Sequence, residues 1–120
     1  MPAPSEAEIH AFLQQQVRFW NEGRRQDMTD LYRTYAYEDL TIEYVGQPIG
    51  DGWKTYDHMW DAYGGKVKVE LVEVLVNGSE AAYFARNVRL VGGAANPSIE
   101  TYRFEPGRLH IRYFHRTDTQ

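Results

Sequence analysis

The sequence predicts a single α+β domain over residues 1–120, with three N-terminal helices packed on a strongly curved, mainly antiparallel sheet that forms a conical cavity. Apolar residues in the first half of the chain follow helical spacing, interrupted by one alternating segment. From Lys66 onwards the pattern alternates as strands require, and glycine-containing turns divide it. With 120 residues, 42% of them hydrophobic, the chain is long enough for one core and too short for two.

The first helix is predicted to begin after Ser5 and to end at residues 21–23, where Gly23 stops it. Glu8 lies three residues after Ser5, which is the spacing of a capping box. Gln16 falls on the apolar face of this helix, either at a solvated edge or directed into an internal cavity. The apolar residues of that face are Ile9, Phe12, Leu13, Val17 and Trp20.

Two shorter helices are predicted next. Asp27 is the expected cap of the second helix, which carries Met28, Leu31, Tyr32 and Tyr35 on one side. The third helix covers roughly residues 53–63 and ends at Gly64. His58 and Asp61 are predicted to be surface groups on it. Its aromatic stripe, which is either core or ligand contact, consists of Trp53, Tyr56, Trp60 and Tyr63.

Alternation of apolar and polar residues locates the first three strands. Residues 39–45 turn Tyr44 inward, and residues 66–76 change phase, which predicts a β-bulge near Leu71. A hairpin turn at Asn77-Gly78 leads into residues 80–90. There the apolar count turns Arg86 inward, whereas the opposite phase turns Asn87 inward.

A final hairpin, residues 98–105 and 109–115 around Pro106-Gly107, carries the sharpest chemical signal. The predicted turn brings Glu100 near His115 on one face, with Tyr102 near Tyr113 and Phe104 near Ile111. A carboxylate beside an imidazole gives a base poised near neutral pH, and a carboxyl group in an apolar pocket gives an acid. The pair could instead be a satisfied structural pair at a pocket rim.

Composition excludes several function classes. The net charge of −4 argues against a nucleic-acid partner, and the absence of cysteine excludes thiol chemistry. The four histidines lack the i, i+4 spacing of a metal site, so no metal is expected. The N-terminus does not resemble a signal peptide, and no apolar run approaches the ~20 residues of a membrane span. We therefore expect a cytoplasmic protein with no membrane partner.

The order of the elements resembles the nuclear transport factor 2-like (NTF2-like) superfamily, in particular the branch of ketosteroid isomerase and the SnoaL-like polyketide cyclases. The resemblance covers nearly the whole chain and implies the cystatin-like α+β barrel of that superfamily. The segments that carry it are Phe19-Trp-Asn-Glu-Gly23, Leu31-Tyr32, Leu40-Thr-Ile-Glu-Tyr44, Ile99-Glu-Thr-Tyr-Arg-Phe104 and Leu109-His-Ile-Arg112.

The resemblance also implies roles for individual residues. The general-base aspartate of the isomerases falls at Tyr44, so steroid isomerase activity is not expected. Their oxyanion-donating tyrosine falls at Gln16, and their protonated aspartate falls at Glu100. The same comparison favours Asn87 over Arg86 on the cavity side.

The resulting expectation is a cofactor-independent acid–base enzyme for a hydrophobic, carbonyl-bearing small molecule, of the isomerase, cyclase, dehydratase or epoxide-hydrolase type. Its catalytic residues would be Glu100, His115 and Tyr44, with Tyr44 and Gln16 facing a developing enolate oxygen. The expected substrate contacts are Gln16, Trp53, Tyr56, Trp60, Asn87, Tyr102 and Tyr113. The alternative is a non-catalytic small-ligand-binding or dimeric protein-interaction module of the same fold.

Quaternary structure is a further expectation. The resemblance implies a homodimer that pairs through the outer sheet face, because the family generally associates there. The candidate contacts are Arg103, Arg112 and Phe114.

Overall fold

A computed structural model describes residues 3–117 and contains three helices and five strands in the predicted order. The helices are α1 (Glu6–Asn21), α2 (Arg25–Tyr35) and α3 (Gly52–Tyr63). The strands are β1 (Asp39–Tyr44), β2 (Val67–Asn77), β3 (Glu80–Arg89), β4 (Ala95–Glu105) and β5 (Arg108–His115).

The five strands form one mixed sheet in the order β1-β5-β4-β3-β2. β1 runs parallel to β5, and the other three pairings are antiparallel. The α+β class and the mainly antiparallel sheet are thus confirmed. Within residues 3–117, β1 and β2 are the two edges and do not pair with each other, so the sheet is open. The predicted strong curvature and closure into a barrel are not shown.

The helix starts follow capping chemistry, with one exception. In α1, the Ser5 hydroxyl accepts from the Glu8 amide (3.1 Å) and the Glu8 carboxylate accepts from the Ser5 amide (2.9 Å), which confirms the capping box. The predicted cap of α2 is wrong, since this helix begins at Arg25, before Asp27. The Asp27 carboxylate pairs with the Arg24 guanidinium (2.8 Å) and makes no cap.

The C-terminal end of α1 is joined to β2 by side chains. The Asn21 amide donates to the Val69 carbonyl (2.9 Å), and its oxygen accepts from the Val69 amide (2.8 Å). The Trp20 indole N–H donates to the Val67 carbonyl (2.9 Å). Further along β2 the register shifts between Leu71 and Glu73, which confirms the predicted bulge. These contacts fix one wall of the space between helices and sheet.

The phase of β3 turns Asn87 inward. Tyr83 and Ala85 are buried on the same face, whereas Arg86 is exposed and pairs with Glu70 (3.3 Å). The apolar count misled because Phe84 lies on the outer face of the sheet and remains partly exposed.

The hairpin of β4 and β5 has a register two residues away from the predicted one. Its loop contains only Pro106 and Gly107, with Gly107 at a φ of 74°, so the last pair is Glu105 with Arg108. Glu100 therefore lies opposite Tyr113, and His115 opposite Ser98, which corrects the predicted pairs Glu100–His115, Tyr102–Tyr113 and Phe104–Ile111. A shift of two residues keeps every side chain on its face, so the inward face was predicted correctly.

The core lies between the helices and the inner sheet face. Aromatic rings form its centre, with Phe12 5.3 Å from Tyr32 and 5.3 Å from Phe104 between ring centroids. Aliphatic residues of α1, β1 and β5 surround these rings: Ile9, Leu13, Leu40, Ile42, Leu109 and Ile111. None of the helices described in residues 3–117 combines the length and hydropathy of a membrane span.

The outer sheet face carries an apolar row across three strands. Phe84 pairs with Ile99, and Ile99 pairs with Phe114, each between 37% and 48% exposed. The guanidinium group of Arg112 lies over the Phe114 ring and pairs with Glu43 (2.9 Å). Association of two copies through this face stays a prediction, as does the cytoplasmic location.

Candidate active site

A cavity of about 790 Å³ lies between the helices and the inner sheet face. All eight helices and strands contribute to its lining, together with residues 47–51 before α3. Its volume lies within the ~300–1,000 Å³ of typical small-molecule sites. The apolar part of the wall includes Val17, Trp20, Met28, Ile42, Met59, Val67 and Val69.

Glu100 on β4 is the buried acid of this cavity, with only 3% of its surface exposed. The Tyr83 hydroxyl donates to Glu100 Oε1 (2.6 Å), and the Tyr102 hydroxyl donates to the same oxygen (2.7 Å). Both tyrosines come from the inward faces of neighbouring strand segments, so strand alternation places them beside the carboxyl group.

Burial raises the pKa of Glu100 from 4.5 to about 7, although the hydroxyls of Tyr83, Tyr102 and Tyr113 oppose this rise by stabilising the charged form. Both protonation states are therefore populated near neutral pH. Burial, followed by the negative charge of Glu100, raises the pKa of Tyr83, Tyr102 and Tyr113 well above the ordinary tyrosine value. These phenols consequently remain protonated donors.

Gln16 is buried and lines the cavity. Of the two predicted positions, a solvated helix edge and an internal cavity, the structure shows the second. Its Nε2 donates to the Tyr102 hydroxyl oxygen (2.7 Å), and its Oε1 accepts from the buried Tyr32 hydroxyl. A hydrogen-bonded chain therefore leads from α2 through α1 to Glu100. Tyr32 was predicted only as an apolar contact of α2, because its partners lie far away in sequence.

Tyr44, Tyr113 and His115 form an aromatic group on β1 and β5. Tyr44 stacks on Tyr113 with ring centroids 5.2 Å apart, and His115 meets the edge of Tyr44 at 6.2 Å. Burial raises the pKa of Tyr44 to about 12. His115 lines the cavity but is exposed, and residues 3–117 show no hydrogen bond between it and Glu100. The predicted acid–imidazole pair is therefore not formed.

Asn87 belongs to a polar group at another part of the wall. Its amide donates to the Asn96 carbonyl (3.1 Å) and to the Ser98 hydroxyl (2.9 Å), so its own oxygen is available to a ligand. Arg89 on the same strand also lines the cavity. Asn87 thus lines the cavity, and its contact with a substrate stays a prediction.

The aromatic stripe of α3 packs mainly into the core. Tyr56 is fully buried and shares a hydrogen bond with Thr29 (2.8 Å), and Trp60 packs on Trp20 with ring centroids 4.4 Å apart. Neither Trp53, Tyr56, Trp60 nor the buried Tyr102 is part of the cavity lining. Tyr56, Trp60 and Tyr102 are buried behind the wall, and direct contact of these four side chains with a substrate stays a prediction.

Another side of α3 faces the cavity with Lys54, Thr55, His58 and Met59. Of the aromatic stripe, Tyr63 also lines the cavity. His58 is exposed, as predicted for a surface group, and it also lines the cavity. The signal that could have found it is helical spacing, because Asp51, Thr55 and His58 recur every three or four residues beside the aromatic stripe. Among residues 3–117 there is no cluster of three or more histidine and acidic side chains that could hold a metal.

No family model matches the sequence, and no curated protein matches it. Solved structures do match, including an NTF2-like protein of unknown function from Cytophaga hutchinsonii, with 11% identity and a TM-score of 0.64 over 88% of this chain and 87% of that one. The chain has the NTF2-like fold.

Two further structures with this NTF2-like fold are enzymes or enzyme candidates. The epoxide hydrolase/cyclase-like enzyme SalBIII, with a role in pyran ring formation in the polyether salinomycin, is 17% identical and has a TM-score of 0.74 over 93% of both chains. A candidate SnoaL-like polyketide cyclase from Jannaschia sp. CCS1 is 15% identical, with a TM-score of 0.63 over 86% of this chain and 83% of that one. At these identities the likeness concerns the fold.

Proposed function

We propose that the protein is an acid–base enzyme that transfers a proton on a hydrophobic, carbonyl-bearing small molecule in the cavity, without a cofactor. Isomerisation, aldol-type cyclisation and dehydration are the reactions of this type. The observation that carries the proposal is Glu100, a buried carboxyl group on the cavity wall whose pKa is raised to about 7. A group poised near the working pH serves equally well as base and acid.

The proposed step begins with Glu100 ionised. Both tyrosine hydrogen bonds end on Oε1, so we assign Oε2 to the substrate. Oε2 takes a proton from the carbon beside the carbonyl group, and the electron pair of the broken C–H bond moves onto the carbonyl oxygen as an enolate. The same carboxyl group then returns the proton to another carbon in an isomerisation, or to a leaving hydroxyl group in a dehydration. In a cyclisation the enolate carbon forms a bond to a second carbonyl carbon of the substrate, and the proton goes to the alkoxide oxygen that this addition creates.

The developing oxyanion needs a donor within the cavity. Tyr44 is suited to that role, since burial keeps its phenol protonated with a pKa of about 12 and its ring stacks against Tyr113 on the wall. Tyr113, opposite Glu100 in the strand register, is a second candidate donor. His115, at an exposed position on the same wall, is assigned to proton exchange with solvent.

Structural neighbours favour ring-forming or ring-opening chemistry over steroid isomerisation. SalBIII and the candidate polyketide cyclase are two of the neighbours whose descriptions name an activity class. Tyr44, which lines the cavity, stands where the resemblance places the aspartate base of the isomerases. We therefore rank cyclisation and dehydration before isomerisation.

Proton exchange in D₂O tests the proposal. A panel of enolisable ketones, including polyketide-like and steroid-like compounds, is incubated with the wild-type protein and with Glu100→Gln, and deuterium incorporation is followed by NMR. We expect exchange that Glu100→Gln lowers by ~100-fold or more, since general acid–base groups contribute on the order of 10²–10⁴. The control is Glu80→Gln, which changes an exposed glutamate at the start of β3. This variant should catalyse deuterium exchange at the wild-type rate.

Exchange that Glu100→Gln leaves unchanged would contradict the role of Glu100. Absence of exchange with every ketone, together with ligand-induced thermal stabilisation that persists in Glu100→Gln, would favour the alternative, a non-catalytic ligand-binding module.

For quaternary structure, we propose a homodimer that covers the apolar row of Phe84, Ile99 and Phe114, flanked by Arg103 and Arg112. Light scattering after size exclusion should give twice the monomer mass of 14.0 kDa. A monomer at high protein concentration would overturn this proposal.

A further inference from the structure

The hydrogen-bonded chain that ends at Glu100 has a fixed direction. A carboxamide oxygen can only accept and its nitrogen can only donate, whereas a phenol has a single proton. Gln16 Oε1 accepts from Tyr32, and Gln16 Nε2 donates to the oxygen of Tyr102. The one proton of Tyr102 is then free to point at Glu100 Oε1, 2.7 Å away.

We infer that Gln16 is a positioning residue whose amide holds the Tyr102 hydroxyl as a donor to Glu100. The inference deepens the proposed function, because it names the residue that sets the charge state of its proton-transfer group. It also differs from the role that the resemblance implies, in which the residue at this position donates directly to the substrate oxyanion. Here one amide N–H and the amide oxygen are already committed to tyrosines.

Burial makes this arrangement effective. Tyr32 is 0% exposed, Tyr102 1% and Gln16 3%, so bulk water hardly reaches the hydroxyl and amide groups that form the hydrogen-bonded chain. Hydrogen bonds in such a low-dielectric interior polarise one another along a chain. An apolar side chain at position 16 would leave the Tyr102 oxygen without a donor and free its proton to turn towards Tyr83, whose oxygen lies 3.4 Å away.

The other groups that face Glu100 are accounted for. The Tyr83 hydroxyl on β3 donates to the carboxyl group, and Tyr113 on β5 lies opposite Glu100 and stabilises its charged form. The buried phenol of Tyr32 on α2 and the half-buried phenol of Tyr44 on β1 interact with its charge. The hydrogen bond from Tyr83 to Oε1 does not pass through Gln16. Tyr83 therefore supplies an internal reference for a donor that Gln16 does not control.

The test is a ¹³C NMR titration of glutamate carboxyl groups in the ligand-free protein, with the Glu100 signal assigned through its loss in Glu100→Gln. Tyr102→Phe should raise the pKa of Glu100 by about one pH unit, and Gln16→Met, which keeps the side-chain length, by roughly half a pH unit.

In the Tyr102→Phe background, Gln16→Met should cause no further change in the pKa of Glu100, since its effect passes through the missing hydroxyl. Gln15→Met, at an exposed position of the same helix, is the matched control and should change nothing.

Three outcomes would overturn the inference: an unchanged pKa in Gln16→Met, a lowered one, or the same rise in Gln16→Met with and without the Tyr102 hydroxyl. If Gln16→Met does not fold, Tyr32→Phe takes its place, because it removes the donor to Gln16 Oε1. Tyr32→Phe must then raise the pKa of Glu100 by a smaller amount, and this rise must also be absent in the Tyr102→Phe background. The titration needs no substrate. Its result therefore tests the role of Gln16 even if the ketone exchange experiment fails to support the proposed function.

Discussion

Burial of Glu100 makes the stability of the fold depend on pH in an unusual direction. The pKa of this carboxyl group is raised from 4.5 to about 7 in the folded protein, with burial as the largest cause. Between these two values the folded protein holds a proton that the unfolded chain has lost. The free energy of unfolding therefore falls as the pH rises from 4.5 to 7 and changes no further above that range.

The magnitude follows from the same two values. At 1.36 kcal/mol for each pH unit, the ionised form of Glu100 lowers the free energy of unfolding by about 3 kcal/mol above pH 7, and roughly 2–3 kcal/mol of this loss falls between pH 5 and pH 8. Glu100→Gln has no proton to lose at this position. Its free energy of unfolding should therefore gain roughly 2–3 kcal/mol relative to that of the wild-type protein when both are moved from pH 5 to pH 8.

Urea denaturation of both proteins at the two pH values measures this gain. The packing change that glutamine introduces contributes equally at both pH values, so it cancels in the comparison. Ionisable groups away from Glu100 contribute equally in both proteins and cancel as well. Glu80→Gln, at an exposed position, should follow the wild-type protein at each pH. A difference between wild type and Glu100→Gln that does not change with pH would refute the raised pKa. A change of opposite sign would mean that the tyrosine hydrogen bonds outweigh burial, and the proton-transfer role would lose its basis.

Two other substitutions test the site and its support. Tyr83→Phe removes a donor to the ionised form of Glu100, which is the base of the proposed step. The midpoint of the acidic limb of the pH–rate profile for proton exchange should therefore move up by about one pH unit; an unchanged or lowered midpoint would contradict the hydrogen bond. Gly52→Ala would place a Cβ atom 1.9 Å from the Leu40 carbonyl oxygen, so α3 must move, and we expect a loss of ~3 kcal/mol or more in urea denaturation. Gly50→Ala, whose Cβ would meet nothing within 4 Å, is the matched control; equal stabilities of the two variants would refute the close approach.

The elements and faces of this protein are predictable because the signals for them are local. Helical spacing and alternation are read within a few turns or strand residues, and the Ser5–Glu8 capping box acts over three residues. The bulge near Leu71 appears in the sequence as a change of phase. The inward position of Glu100 follows from alternation alone, and this position is the basis of the candidate site.

The contacts that give the site its chemistry depend on distances that one sequence does not specify. An error of two residues in the turn exchanged His115 for Tyr113 as the neighbour of Glu100, although both lie on the same face. The chain from Tyr32 to Glu100 joins residues 68 positions apart in sequence, which no local pattern can reveal. The set of α3 side chains that line the cavity depends on how far the helix rotates about its axis, and the spacing of residues in the sequence does not specify that rotation.

The contact between Asn21 and β2 also bears on solubility. β2 is an edge of the open sheet, and a free edge presents unpaired amides and carbonyls to which another chain can add a strand. The Asn21 side chain occupies both backbone groups of Val69, and the Trp20 indole occupies the carbonyl of Val67, so the end of α1 takes the place of a sixth strand there. The two side chains that attach the helix thus also protect this edge against aggregation, while the adjoining cavity stays open to small molecules.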